Sequence, residues 1–159
     1  MRAALFETFR GPIAIRDVAD PACPADGVIV AFKACGVCRS DHHAWAGVDP
    51  DVTPPHVPGH EFAGVVIETG RDCRRWRKGD RVTAPFILAC GHCPDCLAGD
   101  ATVCASQHVV GFSSWGAFAE RLPQQRNITD ERAFFEGALA HHPHFCPAFS
   151  FFRNSRSGL

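Results

Sequence analysis

Cys90-Gly91-His92-Cys93-Pro94-Asp95-Cys96, closed by Cys104, is the stretch around which this chain is organised. It reads C-x2-C-x2-C-x7-C on a loop containing Gly and Pro. Four thiolates so close together suit one tetrahedral zinc ion with no open coordination position. Such a closed site holds a fold together and does no chemistry by itself. Two other readings stand beside it. The cysteines could be buried free thiols or disulfides, or they could form a nucleic-acid zinc ribbon. A ribbon usually pairs two C-x2-C knuckles across a longer gap in basic surroundings, whereas here a single run has Asp95 and Asp100 beside it.

Composition narrows the class further. Sixteen Lys and Arg stand against 17 Asp and Glu, a formal net charge of −1, so no basic face invites nucleic acid. The length of 159 residues suits one domain with a sizeable core. Nine cysteines, an odd number with four at metal spacing, fit reduced metal-binding thiols better than a disulfide scaffold. Met1-Arg2-Ala3-Ala4-Leu5-Phe6-Glu7 meets charge too early for a secretory signal. No apolar run is long enough to span a bilayer. A cytoplasmic protein that contacts neither membrane nor nucleic acid is expected.

Upstream and downstream of the lobe the signals are short strands. Met1–Glu7 and Ile13–Val18 read as two strands around the turn Arg10-Gly11-Pro12. Gly27–Gly36 is the clearest strand. Ser40–Trp45 suits one or two helical turns, and Asp49–Pro58, with four prolines, must be irregular. Phe62–Glu68 is strand-like again, Lys78-Gly79-Asp80 is a turn, and Arg81–Pro85 leads into the lobe. Val109–Leu122 reads as a further strand pair broken at Gly111 and Gly116. The sum predicts a mainly β domain, a barrel or sandwich.

A second metal half-site is visible at Cys38 and His60-Glu61. A thiolate and an imidazole suit zinc, but catalytic zinc usually has three protein ligands and an open position. Taken alone, Cys38 is equally a small core residue and His60 a hydrogen-bonded one.

Gly59-His60-Glu61-Phe62-Ala63-Gly64, followed by Gly70, matches G-H-E-x2-G-x5-G, and here the sequence resembles the zinc-containing medium-chain alcohol dehydrogenases. Gly36-Val37-Cys38-Arg39-Ser40-Asp41, Gly79-Asp80-Arg81-Val82 and the four-cysteine lobe stand in that family's order and spacing, over roughly Met1 to Glu120. The resemblance implies a GroES-like, strongly bent β-barrel over 1–121 with a structural zinc lobe at 89–105. It implies that Cys38 and His60 are ligands of a catalytic zinc and Cys90, Cys93, Cys96 and Cys104 those of a structural one. Asp41 would orient His60, Glu61 would approach the metal during ligand exchange, Ser40 would take the alcohol proton and His43 would relay it to solvent. Arg39 would meet the pyrophosphate of NAD(P), and the substrate would be a small alcohol or aldehyde. Each residue also has a plainer reading: Ser40 as a helix N-cap, His43 and Arg39 as solvated surface groups, Asp41 as a turn former.

The resemblance stops abruptly. Family members continue into a Rossmann domain, yet no G-x-G-x-x-G occurs, and no two of the 14 glycines lie even two residues apart. From Arg121 the family pattern ends, and six phenylalanines fall between Ala133 and Leu159. The expectation is an absent Rossmann domain and a truncated or frameshifted product after about Glu120, with 122–159 an atypical Phe/His-rich tail of low order. Ala133–Ala140 could be a short helix within it. The family's third catalytic-zinc ligand lies in the missing part, and Cys146 is a poor substitute in Phe145-Cys146-Pro147. Two function classes follow: an incomplete zinc-dependent alcohol dehydrogenase, active or not, or a non-catalytic zinc-binding β-barrel serving as a structural or interaction module. A homo-oligomer is one expected assembly; pairing with a homologous full-length chain would supply what is missing.

Overall fold

A computed structural model describes residues 1–124 and 129–130. The expectations for a helix over Ala133–Ala140, for Cys146 and for the Phe-rich end lie outside the described residues.

The long apolar run predicted as the clearest strand is the centre of the fold. It forms β3 (Val28–Gly36), which pairs antiparallel with β4 (Glu61–Thr69) along its whole length. Beside them lie β5 (Arg81–Thr83), β6 (Arg121–Gln124) and β7 (Thr129–Asp130), giving a five-stranded sheet in the order β6-β3-β4-β5-β7. A separate hairpin joins β1 (Arg2–Leu5) to β2 (Ala14–Asp17). Every strand pair is antiparallel. The pairing of β3 with β4 shifts register between Ile29 and Val30 and again between Phe32 and Ala34. Such bulges raise local twist and bend the sheet on itself, which is how a short sheet curls around one core. Val28, Val30, Phe62, Val66 and Val82 fill that core. The mainly β, GroES-like expectation thus holds.

Two segments depart from the expected layout. Residues 109–120 form no strand pair. Gly111 (φ 80°) and Gly116 both press on the Gly59 carbonyl, where a Cβ would collide. Gly116 N donates to Val57 O and Ala117 N to Gly59 O, so the segment wraps over the 57–59 loop instead of folding on itself. The sheet also runs past residue 121. Leu122 and Gln124 are buried in β6, and Pro123 is tolerated because β6 is an edge strand. Four residues are too few for composition to reveal.

α1 (Arg39–Ala46) starts directly after β3 and ends at Gly47 in the left-handed conformation. It turns Ala44 into a second core with Phe6, Val52 and Phe112. Trp45 Nε1 donates to Gly11 O at 2.7 Å and ties the helix to the β1–β2 turn. Asp49–Pro58 is irregular as expected, but it is anchored: Phe6 and His56 exchange backbone hydrogen bonds of 3.0 Å, and Val57 is fully buried.

Gly59 sits at φ 103°, and a Cβ there would lie 2.8 Å from the Phe118 backbone nitrogen. Gly79 has a similar φ of 99° with nothing within 4 Å. Gly79→Ala should therefore lose only the conformational strain, about 1 kcal/mol, while Gly59→Ala should lose about 3 kcal/mol or more. Urea unfolding of both variants checks this; equal losses would contradict the packing described.

Candidate metal centres

The four-cysteine lobe has almost no hydrophobic core. Its only regular structure is α2 (Pro94–Leu97), started by Pro94 in its first turn, and a single 3-10 turn at Ala101–Val103. Gly91 and Gly99 take positive φ values of 77° and 94° to fold the loop back. The four sulfurs nevertheless converge, all within 4.8 Å of one another. Cys90–Cys96 and Cys93–Cys104 sulfurs are each 3.9 Å apart. A tetrahedron with zinc–sulfur bonds of about 2.3 Å has edges of about 3.8 Å, so the set fits zinc without rearrangement.

Backbone donors support the sulfurs. Cys93 N donates to Cys90 Sγ and Cys90 N to Cys104 Sγ, both at 3.3 Å. The N–H groups of His92 and Cys93 hold the Cys90 thiol down at about 6. The Gly91 N–H acts in the same direction on Cys96, but desolvation and the neighbouring Cys93, Cys104 and Cys90 outweigh it and push that thiol up to about 12. Sulfurs that resist ionising together call for a cation among them, since a bound metal deprotonates coordinating thiols outright.

The second group is built on the β3–α1 junction and the start of β4. Cys38 is the N-cap of α1, Ser40 lies in its first turn and Asp41 is its third residue. Ser40 is therefore not the N-cap. Its hydroxyl turns back toward the cap: Ser40 Oγ is 2.7 Å from Cys38 Sγ and 3.3 Å from His60 Nε2. Cys38 Sγ and His60 Nε2 are themselves 3.1 Å apart. Asp41 is no surface turn former but a buried staple. Its Oδ2 accepts from Cys38 N at 2.9 Å, and its Oδ1 accepts from Gly59 N at 3.0 Å and faces His60 Nδ1 at 3.3 Å.

That last contact is electrostatic, because His60 Nδ1 is off the hydrogen-bond axis. It is the buried side-chain nitrogen or oxygen left without a hydrogen bond among the described residues. Burial pushes the Asp41 carboxyl up, yet the His60 ring and the Cys38 and Gly59 N–H groups prevail and hold it below the usual carboxylate range. Burial likewise pushes His60 down, and Asp41 and Cys38 prevail to raise it. With Nδ1 turned to a carboxylate, Nε2 is the nitrogen left to face the Cys38 sulfur, the arrangement of a metal-ligating histidine. Cys38, Asp41 and His60 present one ligand atom each within 4.8 Å. This donor set fits a cation.

The remaining sequence candidates lie around this group, not in it. Glu61 belongs to β4 but its carboxylate presses against Gly36, the residue that ends β3. Arg39 and His43 are exposed on α1, the His43 ring 6.2 Å from His42. Sequence reasoning missed two aromatics. Phe86 and Phe112 place their rings 5.1 Å and 5.3 Å from the His60 ring and 5.9 Å from each other. Phe86 is 49% exposed and Phe112 buried, so of the two rings beside His60 one reaches the surface and the other packs beneath it. Their distance from His60 in sequence, in loops without periodicity, left no local signal.

Comparison with known proteins agrees with this geometry. The sequence profile of the alcohol dehydrogenase GroES-like domain matches residues 24–128, eight residues past Glu120. An alcohol dehydrogenase of Geobacillus stearothermophilus is 40% identical over 153 residues, covering 92% of this chain and 44% of its own. The crystal structure of an NAD-dependent alcohol dehydrogenase superposes with a TM-score of 0.76 at 30% identity, covering 82% of this chain and 39% of the other. A cobalt- and zinc-bound thermostable alcohol dehydrogenase of Pyrobaculum aerophilum gives 0.72 at 33% identity, with 83% and 41% covered. The chain thus spans less than half the length of these relatives. No described helix is long and apolar enough to cross a membrane. With the profile covering most of the chain and the barrel and both metal groups in place, the chain belongs to the alcohol dehydrogenase GroES-like domain family, among the zinc-type medium-chain dehydrogenases.

Proposed function

We propose that this chain is the substrate-side portion of a zinc- and NAD(P)-dependent alcohol dehydrogenase, which oxidises a small alcohol to an aldehyde or ketone. The observation that carries this reading is the convergence of Cys38 Sγ, Ser40 Oγ and His60 Nε2 within 2.7–3.3 Å beside a half-exposed aromatic ring. A closed structural site needs no hydroxyl among its ligands.

In this reading Cys38 and His60 hold a catalytic zinc, and the four-cysteine lobe holds a structural one. Zinc supplies Lewis-acid chemistry that acidifies an alcohol. Ser40 stands where it can accept that proton. His43, three residues along α1 and solvent-exposed, passes it on to water. Asp41 fixes the His60 ring and, through Cys38 N, the sulfur's backbone. Glu61, behind Gly36, is the carboxylate nearest in sequence for ligand exchange. Phe86 and Phe112 exclude water from one side and favour an apolar substrate tail. Arg39, exposed at the start of α1, meets the cofactor phosphates. The dinucleotide site and a third zinc ligand come from outside residues 1–124, through more chain or a homologous partner. A cytoplasmic setting suits so many reduced thiols.

Zinc analysis tests the reading directly. Metal-replete protein should bind zinc at both groups, Cys38→Ser should lose one equivalent while keeping the other, and Cys93→Ser should lose the other. A second equivalent that survives Cys38→Ser, or never binds at all, would sink the catalytic assignment. Asp41 gives a graded check. Asp41→Ala leaves the buried Cys38 and Gly59 N–H groups unpaired and should cost about 2–4 kcal/mol in urea unfolding. Asp41→Asn keeps an acceptor and should recover much of that. Both should weaken zinc at Cys38–His60 by about 10–100-fold in competition with a chromophoric chelator. Unchanged affinity in both would remove Asp41 from the metal site.

A further inference from the structure

Charge is unevenly spread along this chain. Six of its 16 Lys and Arg fall between Arg71 and Arg81, against two of its 17 Asp and Glu. That segment is net +4, which leaves the rest of the chain net −5. It connects β4 to β5. β4 begins beside His60, and its nine residues put roughly 25 Å of strand between the metal group and the basic loop.

The backbone of this loop is held, and most of its cations are not. Cys73 N donates to Gly70 O and Asp80 N to Arg77 O, both at 3.1 Å, closing two successive turns. Asp72 N donates to Ala25 O at 2.7 Å and Gly79 N to Val66 O at 2.8 Å, which ties both turns to the barrel. Between them Trp76 packs against the barrel core. Arg71, Arg74, Arg75, Arg77 and Lys78 are all exposed. Of the two acids in the segment, Asp72 pairs with Arg71 at 3.4 Å, and Asp80 accepts from the Arg77 backbone N–H at 2.7 Å. Arg74, Arg75, Arg77 and Lys78 form no ion pair among the described residues. The Arg75 guanidinium lies 5.1 Å from the Trp76 ring centroid, a stack that restrains it without using its N–H donors. Cations this close in the chain repel one another, and an anion bridging them would relieve that repulsion.

We propose that the Arg71–Lys78 loop is a docking surface for an acidic peptide segment of a partner protein, separate from both metal groups. Four of its five cations are Arg, whose planar fork takes a carboxylate through two parallel N–H bonds. The cations are spread over two turns and not gathered around one point, so they suit a row of carboxylates better than a single small anion. Nucleic acid and anionic membranes are negative over areas far larger than this loop. Either would bring the rest of the chain, net −5, against further negative charge. A short acidic segment meets the basic loop alone. The two anchored turns order the backbone before a partner arrives, so docking has mainly side chains left to order. A contact of this kind is steered by charge and weakens as salt rises.

The test is fluorescence anisotropy of a dye-labelled Glu/Asp peptide titrated with the zinc-replete full chain. Saturable binding that falls as ionic strength rises is expected. Combined Arg74→Ala, Arg77→Ala and Lys78→Ala should weaken it about tenfold or more, with the thermal midpoint unchanged because all three side chains are exposed. Combined Arg10→Ala, Arg16→Ala and Lys33→Ala removes as much charge elsewhere and should leave binding as it was. A single-stranded oligonucleotide of matched charge and vesicles of anionic lipid should both bind more weakly than the peptide. No saturable binding, equal loss in the two triple variants, or tighter binding of the oligonucleotide or the vesicles would each overturn the proposal.

Discussion

The carboxylate of Asp41 is the constraint on which the site depends. It accepts from the backbone of Cys38, the cap of α1, and from the backbone of Gly59, the residue before His60. Two donors from segments on either side of the Pro-rich loop are thereby tied to one buried anion. The His60 ring then sits against the same oxygen. A buried carboxylate is costly unless charge and hydrogen bonds compensate it, and here the compensating groups are the ones that must be brought together. The position of the two candidate ligands is thus a by-product of satisfying one buried charge.

The fold around it divides its stability between two unlike sources. Barrel and helix rest on apolar packing, with Phe62 and Phe6 at the centres of separate clusters. The lobe has Leu97 75% exposed and Val103 58% exposed, and the sulfur atoms are its organising centre. A loop this poor in buried apolar surface does not offset its own ordering entropy; a metal closing four sulfurs does. The two metal groups therefore differ in what the metal does for the chain. In the lobe a metal would take the place of a core, whereas at Cys38–His60 the core, the helix cap and Asp41 already bring the side chains together.

Much of this was legible in the sequence, for identifiable reasons. Continuous β-branched runs marked β3 and β4, and regular cysteine spacing marked the lobe. The motif glycines marked places where backbone meets backbone, Gly59 at a positive φ and Gly70 against the 24–25 carbonyls. What stayed hidden depends on long-range contact. The 109–120 segment carries strand-like residues, yet its glycines are buried against Gly59 and its hydrogen bonds go to the 57–59 loop. Leu122 and Gln124 look like the start of a tail until β3 supplies their partner. Ser40 has the residue type of an N-cap, and only the structure moves that role to Cys38. Phe86 and Phe112 became site residues through their contact with His60, which no local pattern encodes.

The same site is finished on one side and bare on the other. Behind Cys38 and His60 lie buried groups: Asp41 with its two backbone donors, Gly59 and the Phe112 ring, with His60 Nδ1 facing the carboxylate without a hydrogen bond. In front, Val37 is 77% exposed and Phe86 49%, two apolar side chains from the residue before Cys38 and the loop after β5. Scattered apolar residues on a surface need no explanation, but Val37 directly precedes Cys38 and the Phe86 ring lies against His60. A purely structural metal site would have no reason to leave that rim uncovered. Under the function proposed above, that exposed side is where an alcohol and a dinucleotide would approach. The buried half fixes Cys38 and His60 against Asp41, and the exposed half leaves Val37 and Phe86 at the surface.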